Sequence, residues 1–398
     1  MKILFVNDHI FQTKDGLAYS DKFPYHILKR YIDVFSHITF VARSNENKDI
    51  EKIPLASGEG VDFIFLENIS SVKSHFGLRQ RNEKIIENLI KEHDGVIIRL
   101  PSEYGLLTAE IANRLNSKWA IEVVGCAWDS LWNYGGLKPK LYAPIIFTKM
   151  KNVVKKSDNV LYVTKQFLQN KYPVSVKSKT TNVSNVELPD IDNNILASRF
   201  RRIEDNKKLV FGTIGSLKTR YKGVHIAIEA LSMICNSFDN FEYHVLGAGD
   251  SNEYKLLAEK LGIGDKVCFD GILPSGDPIL EWLDNIDIYL QPSLTEGLPR
   301  ALLEAMSRGC SAVGSTAGGI PELLVDQMLF DPKKPNDFSK IILKLVNSKE
   351  LMKEESTRNF ETAKQYQKSL LDKRRQDFWS NFRGDISKTP LSKENNAK

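Results

Sequence analysis

The feature that most restricts the fold of this chain is an alternation of short apolar runs with segments of helical periodicity, which occurs twice along the sequence. Apolar strands that alternate with helices are typical of a parallel sheet covered on both faces, because such strands bury both of their sides. The runs of the first half are Ile3–Val6, Ile38–Val41, Phe63–Leu66, Gly95–Leu100, Ala120–Val124 and Val160–Val163. We therefore predict an α/β domain in the first half of the chain.

The same alternation restarts after a polar, charge-rich stretch at 191–206. The 398 residues exceed what one ordinary core accommodates and suit two domains. The apolar runs of the second half are Leu209–Ile214, Phe241–Leu246, Val267–Phe269, Ile286–Leu290 and Cys310–Val313. We predict a Rossmann-like domain over 1–190, a linker over 191–206, a second Rossmann-like domain over 207–365, a helix over 366–386 and a disordered tail over 387–398.

Composition excludes several classes of protein. Hydrophobic residues make up 42% of the chain and charged residues 26%, which are values of an ordinary globular protein rather than a disordered or fibrous one. No run approaches the ~20 apolar residues that a membrane span needs, and the N-terminal run Ile3–Val6 is too short for a signal peptide. The widely spaced cysteines, Cys126, Cys235, Cys268 and Cys310, indicate a reducing compartment rather than a zinc site. We predict a cytoplasmic protein.

The strongest chemical signal is a pair of glutamates, Glu296 and Glu304, separated by seven residues. Pro299 between them can begin a helix, which places Glu296 in the preceding loop and Glu304 ~7.5 Å along the helix axis. Free N–H groups at a helix start attract anions, and carboxylates accept hydrogen bonds from hydroxyls. A ligand with both hydroxyls and phosphates, such as a nucleotide-sugar, fits this pattern. An ordinary helix with one capping and one surface glutamate is the alternative.

The stretch that contains both glutamates resembles the Glu-x7-Glu signature of the retaining GT-B glycosyltransferases of family 4, the glycosyl transferases group 1. The resemblance implies a GT-B fold, in which two Rossmann-like domains face a cleft and a C-terminal helix crosses back to the N-terminal domain. It assigns Glu296 to hydroxyls of the donor sugar and Glu304 to the ribose. It also places the backbone amides of Gly297, Leu298 and Arg300 around the sugar and diphosphate. Segments in the family's order and spacing are Gly212–Gly223, Gly247–Gly249, Val267–Gly271, Pro292–Gly309 and Gly318–Glu322.

Basic residues follow the first strand of the second half, in the loop 215–223. Rossmann-type sheets bind ligands at this edge, and a cation aimed at a leaving diphosphate stabilises its growing charge. The resemblance implies that Gly215 and Lys222 meet the diphosphate. The family usually has arginine directly after the glycine, where this chain has Ser216, so Arg220 is the candidate substitute. A solvated surface position is the alternative for both cations.

Three further loop residues, two of them glycines, complete the predicted donor site. Gly271 and Ile272 match the family segment that lines the nucleobase, and a buried strand and turn is the alternative. Gly16, in the loop after the first strand, would let the backbone approach the donor diphosphate. The family often has two adjacent glycines there, whereas this chain has one, and a plain loop glycine is the alternative.

The segment after the run Ala120–Val124 is the predicted acceptor site. Trp128, Trp132 and Tyr134 form a candidate stacking platform for a sugar acceptor, with a packed aromatic cluster as the alternative. Many members of the family carry a histidine at this strand end, near the reacting sugar. This chain has none there, and Asp129 is the nearest polar candidate for a catalytic role. The segment is similar to that of a subgroup from bacterial surface-polysaccharide clusters, which implies a role in capsule, O-antigen or exopolysaccharide biosynthesis.

A basic band extends from Lys138 to Lys179, with ten lysines and a single acid, Asp158. Lysines near an anionic bilayer contribute ~1 kcal/mol each to attraction. Because polysaccharide assembly often uses polyprenyl-diphosphate-linked acceptors, we expect the first domain to approach the inner face of the cytoplasmic membrane as a peripheral protein. Solvated helix faces are the alternative. We do not expect nucleic-acid binding, since no recognised module accompanies the charge.

No metal site is predicted. Asp190 and Asp192 superficially resemble the metal-binding acid pair of the other major glycosyltransferase fold. They follow Pro189 in a polar stretch, however, and no further ligand lies nearby in the sequence to complete octahedral coordination. We expect the nucleotide-sugar to be the donor substrate and no cofactor to be needed.

Two other classes of function stay open beside a retaining glycosyltransferase. One is another GT-B enzyme, a nucleotide-sugar epimerase or a sugar phosphorylase, which would consume donor without an acceptor or depend strictly on phosphate. The other is a non-catalytic nucleotide-sugar-binding protein. The missing histidine and Ser216 favour this last interpretation, whereas Glu296, Glu304 and Lys222 oppose it.

Overall fold

The computed structural model describes residues 1–47, 50, 53–67, 75–132, 137–205 and 207–388. The chain divides into two compact units. Unit 1 contains Met1–Val183 and the C-terminal stretch that begins at Asp372, and unit 2 contains Ser184–Leu371.

Unit 1 is built on a sheet of eight strands, of which seven run parallel in the order β4-β3-β1-β5-β6-β7-β8, while β2 pairs with β1 in the antiparallel sense. Helices flank the sheet, so consecutive residues such as Ile3, Leu4, Phe5 and Val6 are fully buried. The strands are β1 Lys2–Lys14, β2 Leu17–Tyr19, β3 His37–Glu46, β4 Val61–Phe65, β5 Gly95–Leu100, β6 Trp119–Val123, β7 Asn159–Tyr162 and β8 Lys179–Asn182. The helices are α1 Tyr25–Phe35, α2 His75–Glu92, α3 Glu103–Arg114, α4 Ala127–Trp132, α5 Leu137–Lys156 and α6 Phe167–Lys171.

The first strand is longer than predicted. After Val6 its register with β3 shifts, and pairing resumes at Ile10, so the expected loop after Val6 is a bulged strand that continues to Lys14. Asp15 and Gly16 then form a two-residue turn into β2, both with positive φ, of 51° and 77°. Gly16 therefore lies at a hairpin tip, where the turn itself requires its backbone conformation.

Unit 2 is built on six parallel strands in the order β11-β10-β9-β12-β13-β14. The strands are β9 Leu209–Ile214, β10 Phe241–Leu246, β11 Val267–Gly271, β12 Ile288–Gln291, β13 Ser311–Ser315 and β14 Leu329–Phe330. The helices are α7 Asn194–Asp205, α8 Val224–Ile234, α9 Asn252–Lys260, α10 Asp277–Asp284, α11 Arg300–Ser307, α12 Pro335–Val346 and α13 Lys349–Lys364, with short 3₁₀ turns at Arg220–Lys222, Gly264–Lys266, Ile320–Glu322 and Asp326–Met328. The predicted parallel α/β architecture is confirmed in each unit.

The stretch predicted as a linker, 191–206, differs from that prediction. It lies within unit 2, and most of it forms α7. The helix is attached through Arg199, whose buried guanidinium donates to the carbonyl oxygens of Leu283 and Ile286. Ile203 is the other buried side chain of the helix, and a contact made largely by an arginine is not apparent from the polar composition of the stretch.

The C-terminal helix α14, Lys368–Ser387, leaves unit 2 and continues in unit 1, as predicted. Trp379 is fully buried there, with its ring 5.8 Å from that of Tyr31 and 6.2 Å from that of Phe35. Truncation of a buried tryptophan of this kind to alanine typically costs about 3–5 kcal/mol. Of the predicted disordered tail, residues 387 and 388 are described, with Ser387 ending the helix, and residues 389–398 lie outside the described residues.

Candidate functional site

Two loops meet at the carboxyl edge of the unit 2 sheet, one after β9 and one after β12. These strands are neighbours in the sheet, which brings together loops some 75 residues apart in sequence. The backbone N–H of Leu294 donates to the carbonyl oxygen of Tyr221 at 2.7 Å. A Cβ on Gly223, whose φ is +74°, would lie 1.9 Å from the carbonyl oxygen of Pro292. Only glycine permits this approach, so the two loops form one wall.

Lys222 and Glu296 form an ion pair on this wall. Lys222 Nζ donates to Glu296 Oε1 at 2.6 Å, and their side chains are 20% and 10% exposed. Gly215 leaves space for the lysine stem, because a Cβ there would lie 2.9 Å from Lys222 Cγ. The structure thus brings together three residues that the sequence assigned to the donor site.

Two residues that the sequence analysis did not assign also hold Glu296. Ser293 Oγ donates to Glu296 Oε1 at 2.8 Å, and Gln291 Nε2 donates to the same oxygen at 3.1 Å. Both side chains are buried, and Gln291 Oε1 has no hydrogen-bond partner among the residues that the structure describes. With Lys222, three donors converge on one carboxylate oxygen and orient the group. The sequence signal that could have revealed Gln291 is a polar residue at the end of an otherwise apolar strand.

Glu304 lies one turn into α11, which begins at Arg300 with Pro299 as its N-cap. Burial raises the pKa of the Glu304 carboxyl, and nearby Arg300, itself exposed, partly opposes that rise. The carboxylate makes no hydrogen bond with a described residue, so its oxygens are available to a ligand hydroxyl. Burial raises the pKa of the Tyr289 hydroxyl, and the charges of Glu296 and Glu304 raise it further, so Tyr289 stays neutral.

The backbone around Glu296 is packed against a further turn. A Cβ on Gly318 would lie 2.0 Å from the carbonyl oxygen of Glu296, and Gly319 N–H donates to the carbonyl oxygen of Gly297 at 2.7 Å. Leu298, like Gly297, is half-buried between this turn and α11. The loop that bears Glu296 is therefore held on both sides before any ligand binds.

Arg220 is not part of the Lys222–Glu296 cluster. Its guanidinium lies 3.0 Å from the carboxylate of Glu253 on α9, and the side chain is 59% exposed. Ser216, which stands where the family usually has arginine, donates from Oγ to the carbonyl oxygen of Ala248 at 3.3 Å. In this structure Lys222 is therefore the cation that meets Glu296, and Arg220 is engaged elsewhere.

The predicted nucleobase segment lies at the end of β11. Gly271 has a φ of +75° and its carbonyl oxygen accepts from Gly247 N–H at 2.7 Å, while the side chain of Ile272 is 71% exposed. Asp270 accepts hydrogen bonds from His244 Nδ1 at 2.9 Å and from Trp282 Nε1 at 2.7 Å. The bond to Asp270 raises the pKa of His244. An exposed apolar side chain beside this turn is compatible with stacking by a base.

The predicted acceptor residues of unit 1 lie on the short helix α4. The rings of Trp128 and Trp132 stack with centroids 5.2 Å apart and planes 14° from parallel, and Phe147 packs against Trp128 edge-on. Trp132 is exposed, and Lys140 Nζ lies 5.7 Å from its ring centroid. The Trp132 ring of this pair is therefore accessible to a ligand. Tyr134 lies outside the described residues.

Asp129, predicted as a catalytic candidate, is paired with a lysine. Lys171 Nζ lies 3.0 and 3.1 Å from its two carboxylate oxygens and 3.6 Å from Cys126 Sγ. The pair ties α4 to α6, which gives the carboxylate a structural role. Gly16, predicted near the diphosphate, lies at the hairpin tip described above. Apart from Gly16 and its two chain neighbours, no described residue comes within 4 Å of the position that a Cβ would take there.

Among the residues that the structure describes, no group of three or more His, Cys, Asp or Glu side chains could hold a metal ion. Asp192 instead accepts from the backbone N–H of Asn194 at 2.9 Å, at the start of α7. Within the same part of the chain, no helix is long and apolar enough to cross a membrane.

The sequence matches the family model of glycosyl transferases group 1 over residues 194–363. The chain is also similar to protein CapJ of Staphylococcus aureus, with 32% identity over 396 residues, which covers 99% of this chain and 98% of CapJ. The amylovoran biosynthesis glycosyltransferase AmsK of Erwinia amylovora is 39% identical over 113 residues, or 27% of this chain and 28% of AmsK.

Solved structures of low sequence identity share the fold. HepE of Anabaena, crystallised in complex with UDP, superposes with a TM-score of 0.66 at 16% identity and covers 96% of this chain and 100% of its own. WaaG, a glycosyltransferase involved in lipopolysaccharide biosynthesis, superposes with a TM-score of 0.59 at 16% identity, over 94% of this chain and 99% of its own. Together with the two parallel α/β units and the returning helix, these likenesses confirm the predicted GT-B fold.

Proposed function

The chain belongs to the glycosyl transferases of group 1, and from this premise we propose that it is a retaining enzyme of family 4 that moves a sugar from a nucleotide-sugar to a glycan or lipid-linked acceptor. We further propose that it acts in the biosynthesis of a bacterial capsule, O-antigen or exopolysaccharide. AmsK, which it resembles in part, is a glycosyltransferase of amylovoran biosynthesis. The observation that carries the proposal is the Lys222–Glu296 pair beside the Glu304 carboxylate at the start of α11.

The arrangement supports a donor with a sugar, a diphosphate and a ribose. Glu296 would accept hydrogen bonds from sugar hydroxyls through Oε2, because Oε1 already receives three protein donors. Glu304 would accept from the ribose. Lys222 and the free N–H groups at the start of α11, with the backbone of Gly297 and Leu298, would meet the diphosphate. Gly271 and Ile272 would border the base.

The proposed reaction is a front-face displacement. The bond between the anomeric carbon and the diphosphate oxygen breaks, and its electron pair leaves with the diphosphate. The acceptor hydroxyl forms the new bond on the same face of the sugar, and its proton passes to the leaving diphosphate. Lys222 stabilises the charge that develops on that group, so the protein contributes positioning and preorganised charge. No metal is needed in this scheme.

The proposed acceptor partner is a glycan carried on a polyprenyl diphosphate. Its sugar would stack on Trp132, whose ring is exposed and lies beside Lys140. The basic band from Lys138 to Lys179 would attract anionic lipid at the inner face of the cytoplasmic membrane, which would make the protein peripheral there. Lys149, Lys151, Lys155 and Lys156 on α5 are all exposed, as such a contact requires.

A thermal-shift panel of UDP-, GDP- and ADP-sugars tests the donor site, beginning with UDP-glucose, with which HepE was crystallised. A ligand at about 100 times its dissociation constant should stabilise the folded chain by about 2.7 kcal/mol. Glu304→Ala should lose half or more of that stabilisation, whereas Glu281→Ala, which changes an exposed glutamate on α10, should keep it. Absence of a shift with every nucleotide-sugar would contradict the proposal.

Product analysis separates the proposed transfer from the two other functions. Transfer to an acceptor with retained configuration, measured by the anomeric coupling of the product, supports the glycosyltransferase. Donor turnover without acceptor indicates an epimerase, and strict dependence on phosphate indicates a phosphorylase. Donor binding without any turnover, in the presence of lipid-linked acceptors, indicates a binding protein.

A further inference from the structure

The N-terminal half of α5 is apolar on the side that faces away from the core of unit 1. The opposite side packs into the core through residues such as Ala143, Ile146 and Met150. On the outer side, Leu137, Leu141 and Ile145 are 72%, 67% and 51% exposed. They are spaced four residues apart, so they form a continuous ridge ~12 Å long on the helix surface. We call these three side chains the α5 ridge.

Other large side chains of α4 and α5 are exposed in addition to the α5 ridge. Trp132 on α4 and Tyr142 on α5 are also exposed large side chains, at 44% and 38%. Isolated exposed apolar residues are normal on soluble proteins, whereas contiguous apolar surface rimmed by polar residues marks an interaction site. The α5 ridge is therefore a candidate contact surface for a partner that has an apolar interior.

Lysines flank the α5 ridge on both sides. At 3.6 residues per turn, Lys138 and Lys149 lie along one flank and Lys140 and Lys151 along the other. Glu103 lies beside Tyr142 and accepts a hydrogen bond from its hydroxyl at 2.8 Å. The surface is thus an apolar strip between two positively charged margins.

We propose that the α5 ridge inserts into the boundary between headgroups and acyl chains of an anionic bilayer, while its flanking lysines bind lipid phosphates. An interfacial helix with a basic polar face and an apolar face binds bilayers in this way. A second copy of the chain fits poorly, because the lysine margins of two ridges would face each other. The inference rests on the proposed function in one respect: the proposed lipid-linked acceptor is what brings this domain close to a bilayer.

Insertion of the α5 ridge predicts a different salt dependence of vesicle binding from that of the lysine band alone. Attraction between lysines and lipid is screened as the Debye length falls from about 10 Å at 0.1 M salt to about 3 Å at 1 M. Burial of apolar surface is not screened by salt and is strengthened by salts excluded from protein surfaces. Binding through the ridge therefore persists at a salt concentration that removes purely electrostatic binding.

The test is co-sedimentation of the full chain with phosphatidylcholine vesicles, with and without phosphatidylglycerol, at about 0.1 M and about 1 M NaCl. The variant replaces Leu137, Leu141 and Ile145 by Gln, a good helix former. The matched control is Leu256→Gln, since Leu256 is a 66% exposed leucine on α9 of unit 2. We expect wild type and control to bind phosphatidylglycerol vesicles at both salt concentrations. The triple variant should bind at least about tenfold more weakly at high salt.

Each other outcome overturns the inference in a defined way. Equal binding of the triple variant and wild type would show that the α5 ridge does not contact the membrane. Loss of wild-type binding at high salt would leave an electrostatic contact only. A wild-type dimer that the triple variant lacks, without vesicle binding, would make the ridge a self-association surface. Far-UV circular dichroism controls for folding, and transfer to a short soluble acceptor, measured in parallel, reports on the proposed function independently of vesicle binding.

Discussion

Lys222 Nζ lies 2.6 Å from Glu296 Oε1, so the cation proposed to meet the donor diphosphate and the carboxylate proposed to meet the donor sugar are paired with each other. Both side chains are mostly buried, which strengthens the interaction relative to an exposed ion pair. A bound diphosphate would compete for the lysine, while Ser293 and Gln291 would keep Glu296 in place. In the proposed function, the pair would hold both groups in position for a donor.

Lys222→Gln should lower turnover by about 10²–10³-fold, because removal of one preorganised charge or donor from a developing anion has an effect of this size. Glutamine keeps a hydrogen-bond donor for Glu296 but removes the positive charge. The measurement is kcat at saturating donor and acceptor. Lys218→Ala, an exposed lysine of the same loop, is the control and should retain wild-type turnover. Equal activity of both variants would contradict the role of Lys222.

Glu304→Ala and Glu296→Ala should differ in which kinetic quantity they change. Loss of the Glu304 carboxylate should weaken donor binding by roughly 1.5–3 kcal/mol, the value of hydrogen bonds to a charged group. Glu296→Ala should instead lower kcat more than it raises the donor dissociation constant, because its partner is the reacting sugar. Calorimetry and steady-state kinetics measure the two quantities. Negligible effects of both changes on binding and on turnover would remove these residues from the site.

Ser293→Ala should lower kcat by about tenfold, as expected for loss of one hydrogen bond of about 1.4 kcal/mol that orients Glu296. Binding of the free nucleotide should change little, because Ser293 contacts Glu296 rather than Glu304. Ser293→Thr keeps the hydroxyl and should recover part of the turnover. A variant in which nucleotide binding falls as much as kcat would indicate a collapsed loop instead of a lost orienting contact.

Glu304→Gln should increase the free energy of unfolding of the ligand-free protein near neutral pH. Burial raises the folded-state pKa of Glu304, so the charged carboxylate destabilises the folded state above that pKa. The penalty disappears as the pH falls through the raised pKa to below the ordinary value, and the difference between variant and wild type should narrow over that range. Denaturant unfolding at a series of pH values measures it. A variant less stable than wild type at neutral pH would show that the carboxylate stabilises the fold.

Transfer activity should survive treatment with EDTA. Lys222 and the start of α11 are proposed to stabilise the leaving diphosphate, a task that a divalent cation performs in other enzymes. Rates measured before and after chelation, followed by addition of magnesium or manganese, provide the test. Activity lost to EDTA and restored by manganese would point to the acid pair Asp190 and Asp192 or to another metal site.

The local pattern of the sequence determined the class of fold and supplied the residues of the proposed donor site. Strands such as Leu209–Ile214 are mainly apolar because helices cover both of their faces, and this pattern can be recognised from the sequence alone. The spacing of Glu296 and Glu304 around Pro299 likewise depends on a single turn and helix start. The return of α14 to unit 1 was implied by the resemblance to the GT-B glycosyltransferases, and Trp379 and Phe382 on one side of the helix give it an apolar surface to bury.

Only the tertiary structure decided which side chains meet. Lys222 reaches Glu296, 74 residues away, because β9 and β12 are neighbours in the sheet, an order that no local pattern specifies. Arg220, two residues before Lys222, points instead to Glu253, since successive residues of a 3₁₀ turn face different directions. The packing of α7 through Arg199 could not be predicted for a related reason. A buried guanidinium is stable when carbonyl oxygens accept its hydrogen bonds, and those carbonyl groups belong to distant segments of the chain.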